Sequence, residues 1–163
     1  MENGLNKKVS IKDKSFNSQV ITNDWYILKE NEVDEYIKKD EIGILYTITN
    51  NDGTNPLEKS SSEDVSFYEK LALINQRSSE LFHAEDESGQ EFKTLFSQVE
   101  MGYDVSSHIK IMLIFRKPDS FKNLKVVFND IIWGNGPIKH LFEKSDLESL
   151  PELIKTNYDP KNS

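Results

Sequence analysis

The sequence predicts a mainly β domain, an antiparallel β-sandwich that ends in one or two short C-terminal helices. Three stretches predict it. In "EIGILYTITNNDG" (41–53), Ile42, Ile44, Tyr46 and Ile48 alternate with Gly43, Leu45, Thr47 and Thr49, and Asn51-Asp52-Gly53 closes the run with turn-forming residues. In "HIKIMLIFRKP" (108–118), Ile109, Ile111, Leu113 and Phe115 share one side while Met112 and Ile114 make the other nearly apolar. That pattern suits a central strand covered on both faces, and Pro118 ends it because proline cannot donate to a central ladder. After the short connection "RKPDSFKN", Leu124, Val126 and Phe128 alternate with Lys125 and Val127, giving a hairpin-like pair with Phe121 at its corner.

The remaining elements follow in chain order. Residues 1–18 are polar, rich in Asn, Lys and Ser, and read as a flexible N-terminal tail. The sandwich domain is expected over residues 19–133, and its first ordered element is "QVITNDWYILKENE" (19–32). "NNDGTNPLEKSSSED" (50–64) reads as a long surface loop. Residues 63–83 stay open between helix and strand: Phe67, Leu71, Ile74 and Leu81 fall on a helical rhythm interrupted by Ser78, whereas Leu71 and Leu73 also suit a strand. "AEDESGQE" (84–91) is a turn, and "FKTLFSQV" (92–99) a strand with Phe92, Thr94 and Phe96 on one face. Residues 134–163 read as a short helical extension. Pro137 is placed like a first helical residue, and "SDLE" (145–148) has capping-box spacing ahead of Leu150 and Ile154.

Composition narrows the functional classes. A chain of 163 residues with 46 Leu, Ile, Val and Phe can bury a substantial core as one domain. Its net charge is −8, and no Lys/Arg stripe is present, which disfavours nucleic acid and anionic membrane as partners. No apolar run approaches the length of a membrane span, so no direct membrane insertion by this segment is expected. Without cysteine there is no disulfide, thiolate ligand or thiol nucleophile.

Candidate chemistry is sparse. His83, His108 and His140 lie in three regions without zinc-type spacing. Glu85, Asp86 and Glu87 beside Gly89 invite a calcium reading, but counting back from Gly89 puts Ala84 at the first ligand position, so a solvated acidic turn is expected. Ser60-Ser61-Ser62, next to Glu63 and Asp64, matches neither a nucleophile elbow nor a phosphate loop. Trp133 in "WGNGP" is read as a core residue at a strand-to-helix corner, against the alternative of an exposed anchor. No catalytic, cofactor-binding or metal-ligating set is predicted, and no enzyme.

The order of signals resembles the immunoglobulin-like domains of uncharacterised Gram-positive secreted lipoproteins. The marks are Thr49-Asn50 at a strand end, Gly102 opening a strand that finishes at Phe115, the following Pro118, and Leu124 with Phe128 in a strand that closes the sandwich. They span roughly residues 18–130 and are structural marks of low specificity. Met101 stands where the family has proline, and the lipoprotein cysteine and its leader are missing from the sequence. The resemblance implies an immunoglobulin-like β-sandwich held outside the cytoplasm in the cell envelope, with no catalysis. The expected function is therefore a protein-interaction or assembly module with a protein partner. The alternative is a small acidic cytoplasmic binding protein, such as an immunity protein or an inhibitor of a basic partner, to which the charge of −8 would steer it.

Overall fold

A computed structural model describes residues 4–21, 37–38, 40–57, 67–100 and 108–148. Over these residues the chain forms eight strands: β1 (Asn6–Ile11), β2 (Lys14–Ile21), β3 (Glu41–Asn50), β4 (Phe82–Asp86), β5 (Glu91–Glu100), β6 (His108–Arg116), β7 (Asn123–Asp130) and β8 (Gly136–Glu143). One longer helix, α1 (Phe67–Leu81), and a helical turn at 144–148 accompany them. All pairings are antiparallel, in the order β1-β2-β3-β6-β5-β4-β7-β8.

The fold is thus mainly β and antiparallel, and its single sheet is barrel-shaped and nearly closed. The imidazole of His140 in β8 spans the seam. Its Nε2–H donates to the Phe16 carbonyl of β2 at 3.1 Å, and the Ser18 hydroxyl meets Nδ1 at 3.1 Å. Inward-facing residues of opposite walls fill the interior. Phe82 stacks on its cross-strand partner Phe128 at 4.7 Å, and Tyr46 of the opposite wall meets Phe82 edge-on at 4.8 Å. Such ring pairs add to the burial of large aromatic surfaces.

Of the segment left open at 63–83, residues 67–81 are helix and 82–83 begin β4, while 63–66 lie outside the described residues. Ile74, Ser78 and Leu81 share one face of α1 and are all buried. Ser78 interrupts the apolar rhythm but is satisfied by the Ser97 hydroxyl of β5 at 2.7 Å. Ile74 and Leu81 join the interior core, together with Leu57.

Three expectations need correction. Within the supposed tail of residues 1–18, the chain forms β1 and most of β2, joined by a tight turn with Lys12 at φ 56°. Lysine, serine and asparagine hide the alternation there, yet Phe16, Ser18 and Val20 all point inward and are buried. The lysines of β1 suit a strand at the edge of the sheet. In the supposed helical extension, residues 136–143 are β8, with Ile138, His140 and Phe142 inward and Pro137, Lys139 and Leu141 outward. Pro137 is tolerated because β8 pairs with β7 alone, as an edge strand. Among the described residues of this extension, helix is confined to 144–148, where Leu147 packs on the core. The sheet therefore runs from residue 6 to 143, past both boundaries of the expected 19–133 domain. Finally, Phe96 does not share a face with Phe92 and Thr94. A β-bulge between Thr94 and Phe96 shifts the register, so Ser97 and Val99 turn inward and Phe96 turns out.

Most of the expected first element, "QVITNDWYILKENE", lies outside the described residues, as do Gly102, Met101 and residues 149–163. Of the marks of the family resemblance, Thr49-Asn50 ends β3, Phe115 lies near the end of β6 ahead of Pro118, and Leu124 and Phe128 lie in β7. β7 is not the closing strand, however, since β8 follows it to the seam.

Candidate functional site

The β4–β5 hairpin sets out the most concentrated group of functional side chains. On β4, Phe82, Ala84 and Asp86 point inward, which turns His83 and Glu85 outward on one face. Across the hairpin Glu91 is the register partner of Glu85, and Lys93 that of His83. His83 Nε2 lies 3.1 Å from Glu85 Oε1 and 3.7 Å from Glu91 Oε1. Its Nδ1 faces the side-chain amide of Asn129 on β7 at 3.2 Å. Glu85 Oε2 accepts from Lys139 Nζ of β8 at 3.3 Å. The His83 and Glu85 side chains are 15% and 14% exposed, whereas that of Glu91 is 67% exposed, so the group is open on one side. The hydrogen bond from His83 holds the Glu85 carboxyl below its ordinary range; Lys139 adds to this and burial opposes it.

Sequence spacing missed this grouping because two of its members are two apart on a strand and the third lies across a hairpin. Reading "FHAED" and "EFKTL" as paired strands around Ser88-Gly89 would have found it.

The other singled-out residues are placed as follows. Asp86 Oδ1 accepts from Ser88 N at 2.9 Å, Ser88 Oγ at 2.6 Å and Gln90 N at 3.0 Å. Glu87 Oε2 accepts from Lys122 N at 3.0 Å. Asp86 thus spends a carboxylate oxygen on the Ser88 hydroxyl and the turn's own backbone, Glu87 spends one on the backbone between β6 and β7, and these bonds lower both acids. Asp52 does the same with Thr54 N and Oγ1, at 3.0 and 2.6 Å, and is likewise lowered. His108 is half-buried at the start of β6, and His140 is interior. Ser60, Ser61, Ser62, Glu63 and Asp64 lie outside the described residues.

Trp133 is half-buried and packs on the core, edge-on to Phe16 at 6.4 Å, with the Lys14 ammonium 5.2 Å from its ring. Buried Asp130 organises its loop by accepting from Ile132 N and Trp133 N at 3.0 and 2.8 Å and from Asn135 Nδ2 at 2.7 Å. Tyr46 Oη and Trp133 Nε1 are buried without a hydrogen-bond partner. Burial, reinforced by Asp130, pushes the Tyr46 hydroxyl well above its usual range.

An apolar void lined by Ile44, Ala84, Phe115, Leu124, Phe142 and Leu147 holds no more than about one water. The surface does carry exposed apolar side chains: Leu95 at 55%, Phe96 at 43%, Ile131 at 58% and Leu141 at 40%. Leu95 and Phe96 are consecutive, and the bulge between Thr94 and Phe96 brings both into solvent. No family model, no curated protein and no solved structure matches the chain.

Proposed function

We propose that this chain is a non-catalytic protein-interaction module that acts in the bacterial cell envelope, outside the cytoplasm. The observation that carries the interaction reading is the Leu95–Phe96 pair. A regular strand would turn one of two neighbours inward, whereas the bulge leaves both exposed on β5. Exposed apolar and aromatic side chains of this kind anchor protein interfaces. The placement in the envelope rests on the resemblance carried by Thr49-Asn50, Phe115, Pro118, Leu124 and Phe128.

The net charge of −8 favours a second reading, a small acidic cytoplasmic binding protein directed at a basic partner. Capture of partner by the immobilised chain, compared with a Leu95→Ser/Phe96→Ser double variant, tests the first reading. The double variant should keep its melting temperature and lose capture, with little dependence on salt. Equal capture by the two proteins removes the β5 surface from the proposal. Capture that is indifferent to the double variant but falls steeply with salt supports the acidic reading.

A further inference from the structure

We infer that His83, Glu85 and Glu91 form a site for a borderline divalent metal ion on the outer wall of the barrel, independent of the protein-binding surface. One imidazole nitrogen and two carboxylate oxygens converge there, all within 4.8 Å of one another. The separations fit a small ion. Four ligands at zinc-like bond lengths stand about 3.3 Å apart by tetrahedral geometry. His83 Nε2 stands 3.1 Å from Glu85 Oε1 and 3.7 Å from Glu91 Oε1.

Charge points the same way. Glu85 and Glu91 are direct cross-strand partners, and like charges placed so repel each other. Lys139 reaches the far oxygen of Glu85, at 3.3 Å, so the oxygens that face each other have only the one Nε2–H of the imidazole between them. A divalent ion in place of that proton neutralises both carboxylates. His83 then carries its proton on Nδ1 and donates it to Asn129, once that amide presents its oxygen, which is the usual outer support of a ligating histidine. The exposed Glu91 side leaves room for water to complete the coordination. An imidazole with carboxylates and no thiolate suits zinc, or nickel or iron in its place, better than calcium, which prefers oxygen ligands alone. Lys93 and Lys125, the register partners of His83 and Glu85, flank the group and together with Lys139 limit its affinity.

The test is equilibrium dialysis of the full chain against zinc ion at neutral pH. One equivalent should bind saturably. His83→Gln and Glu91→Gln should each weaken binding by about ten-fold or more, by the scale of lost ligand-shell partners. Glu143→Gln, an exposed acid elsewhere, should leave it unchanged. Lys139→Met should tighten binding, because the ammonium competes for Glu85. Glu91 is exposed, so its variant keeps the test valid even if His83→Gln unfolds. Two results overturn the inference. If no saturable binding occurs, the group is an ion-pair network only. If zinc binds equally to wild type, His83→Gln and Glu91→Gln, the binding is adventitious.

Discussion

The two outer walls of the barrel differ more than its inner faces do. Outside β2, β3 and β6, Ile21, Leu45, Met112 and Ile114 form a second apolar cluster, and Ile37 packs over it from the chain ahead of β3. Outside β4, β5, β7 and β8 the wall is ionic, with His83, Glu85, Glu91, Lys93, Lys125 and Lys139. Both walls turn the same kind of apolar face inward. The outer faces therefore record what lies against each wall: the Ile37 segment on the first, solvent on the second. Phe96 is the register partner of Ile114 on β6, so the exposed pair on β5 sits at the border between the two walls.

Charge substitutions provide the sharpest test of that contrast. Leu45 is 6% exposed, and Leu45→Asp puts an unpaired carboxylate under Ile37, so a loss of about 3 kcal/mol or more is expected. On the ionic wall the exposed Lys93→Gln should change stability by no more than about 0.5 kcal/mol. Urea midpoints of the two variants decide the matter. Similar shifts would mean that the first wall is not covered as described.

A smaller effect isolates the cover itself. A Cβ built at Gly43 runs into the Ile37 side chain and crowds Ile21, so the close approach of that segment depends on the missing side chain. Gly43→Val should cost about 1–3 kcal/mol by overpacking. Combined with Ile37→Ala, which clears the space, the loss should be less than the sum of the two single losses. Strict additivity in thermal or urea unfolding would place Ile37 elsewhere.

How far the sequence disclosed these walls depended on burial. β3, β6 and β7 were legible because their inner faces are runs of Ile, Leu, Val and Phe with Tyr46 among them, broken only by Asp130 at the end of β7, and Met112 and Ile114 marked β6 as covered on both sides. β1, β2 and β8 were not. Their inward positions include Lys14, Ser18 and His140; Ser18 and His140 are satisfied across the seam only once the barrel has closed, and Lys14 lies beside Asp13 and over the Trp133 ring. Ser78 misled in the same way, since its partner Ser97 is distant in sequence. Pro137 and the "SDLE" spacing looked like helix signals, yet the alternation of Ile138, His140 and Phe142 against the core won over residues 136–143. Of the candidate site, the turn expected over 84–91 is a turn only at 87–90; Ala84, Glu85 and Asp86 belong to β4 and Glu91 to β5, so two of the three site residues were misplaced into it. The convergence of His83, Glu85 and Glu91 was not legible, because it exists only across the hairpin.

The smallest expected effect is a dependence on acid that belongs to the ionic wall. In the folded chain the hydrogen bond from His83, with help from Lys139, holds the Glu85 carboxyl below the ordinary glutamate value of 4.5. A depressed carboxyl contributes stability that is present above the unfolded value and is lost as pH falls through the folded one, because the unfolded chain takes up the proton first. Stability should therefore decline as pH drops below about 4.5, partly on account of Glu85. Asp52, Asp86 and Glu87 are lowered as well and contribute in the same direction, so the wild-type curve alone assigns nothing to one residue. The difference between wild type and Glu85→Gln does. The variant should be less stable at neutral pH and lose less on acidification, so that the two curves of urea midpoint against pH converge below the glutamate range. Leu45→Ala, on the wall without ionisable groups in its cluster, should run parallel to wild type across the same range. Parallel curves for Glu85→Gln would instead mean that the His83–Glu85 contact adds nothing to folding, and the ionic wall would then be a solvated surface.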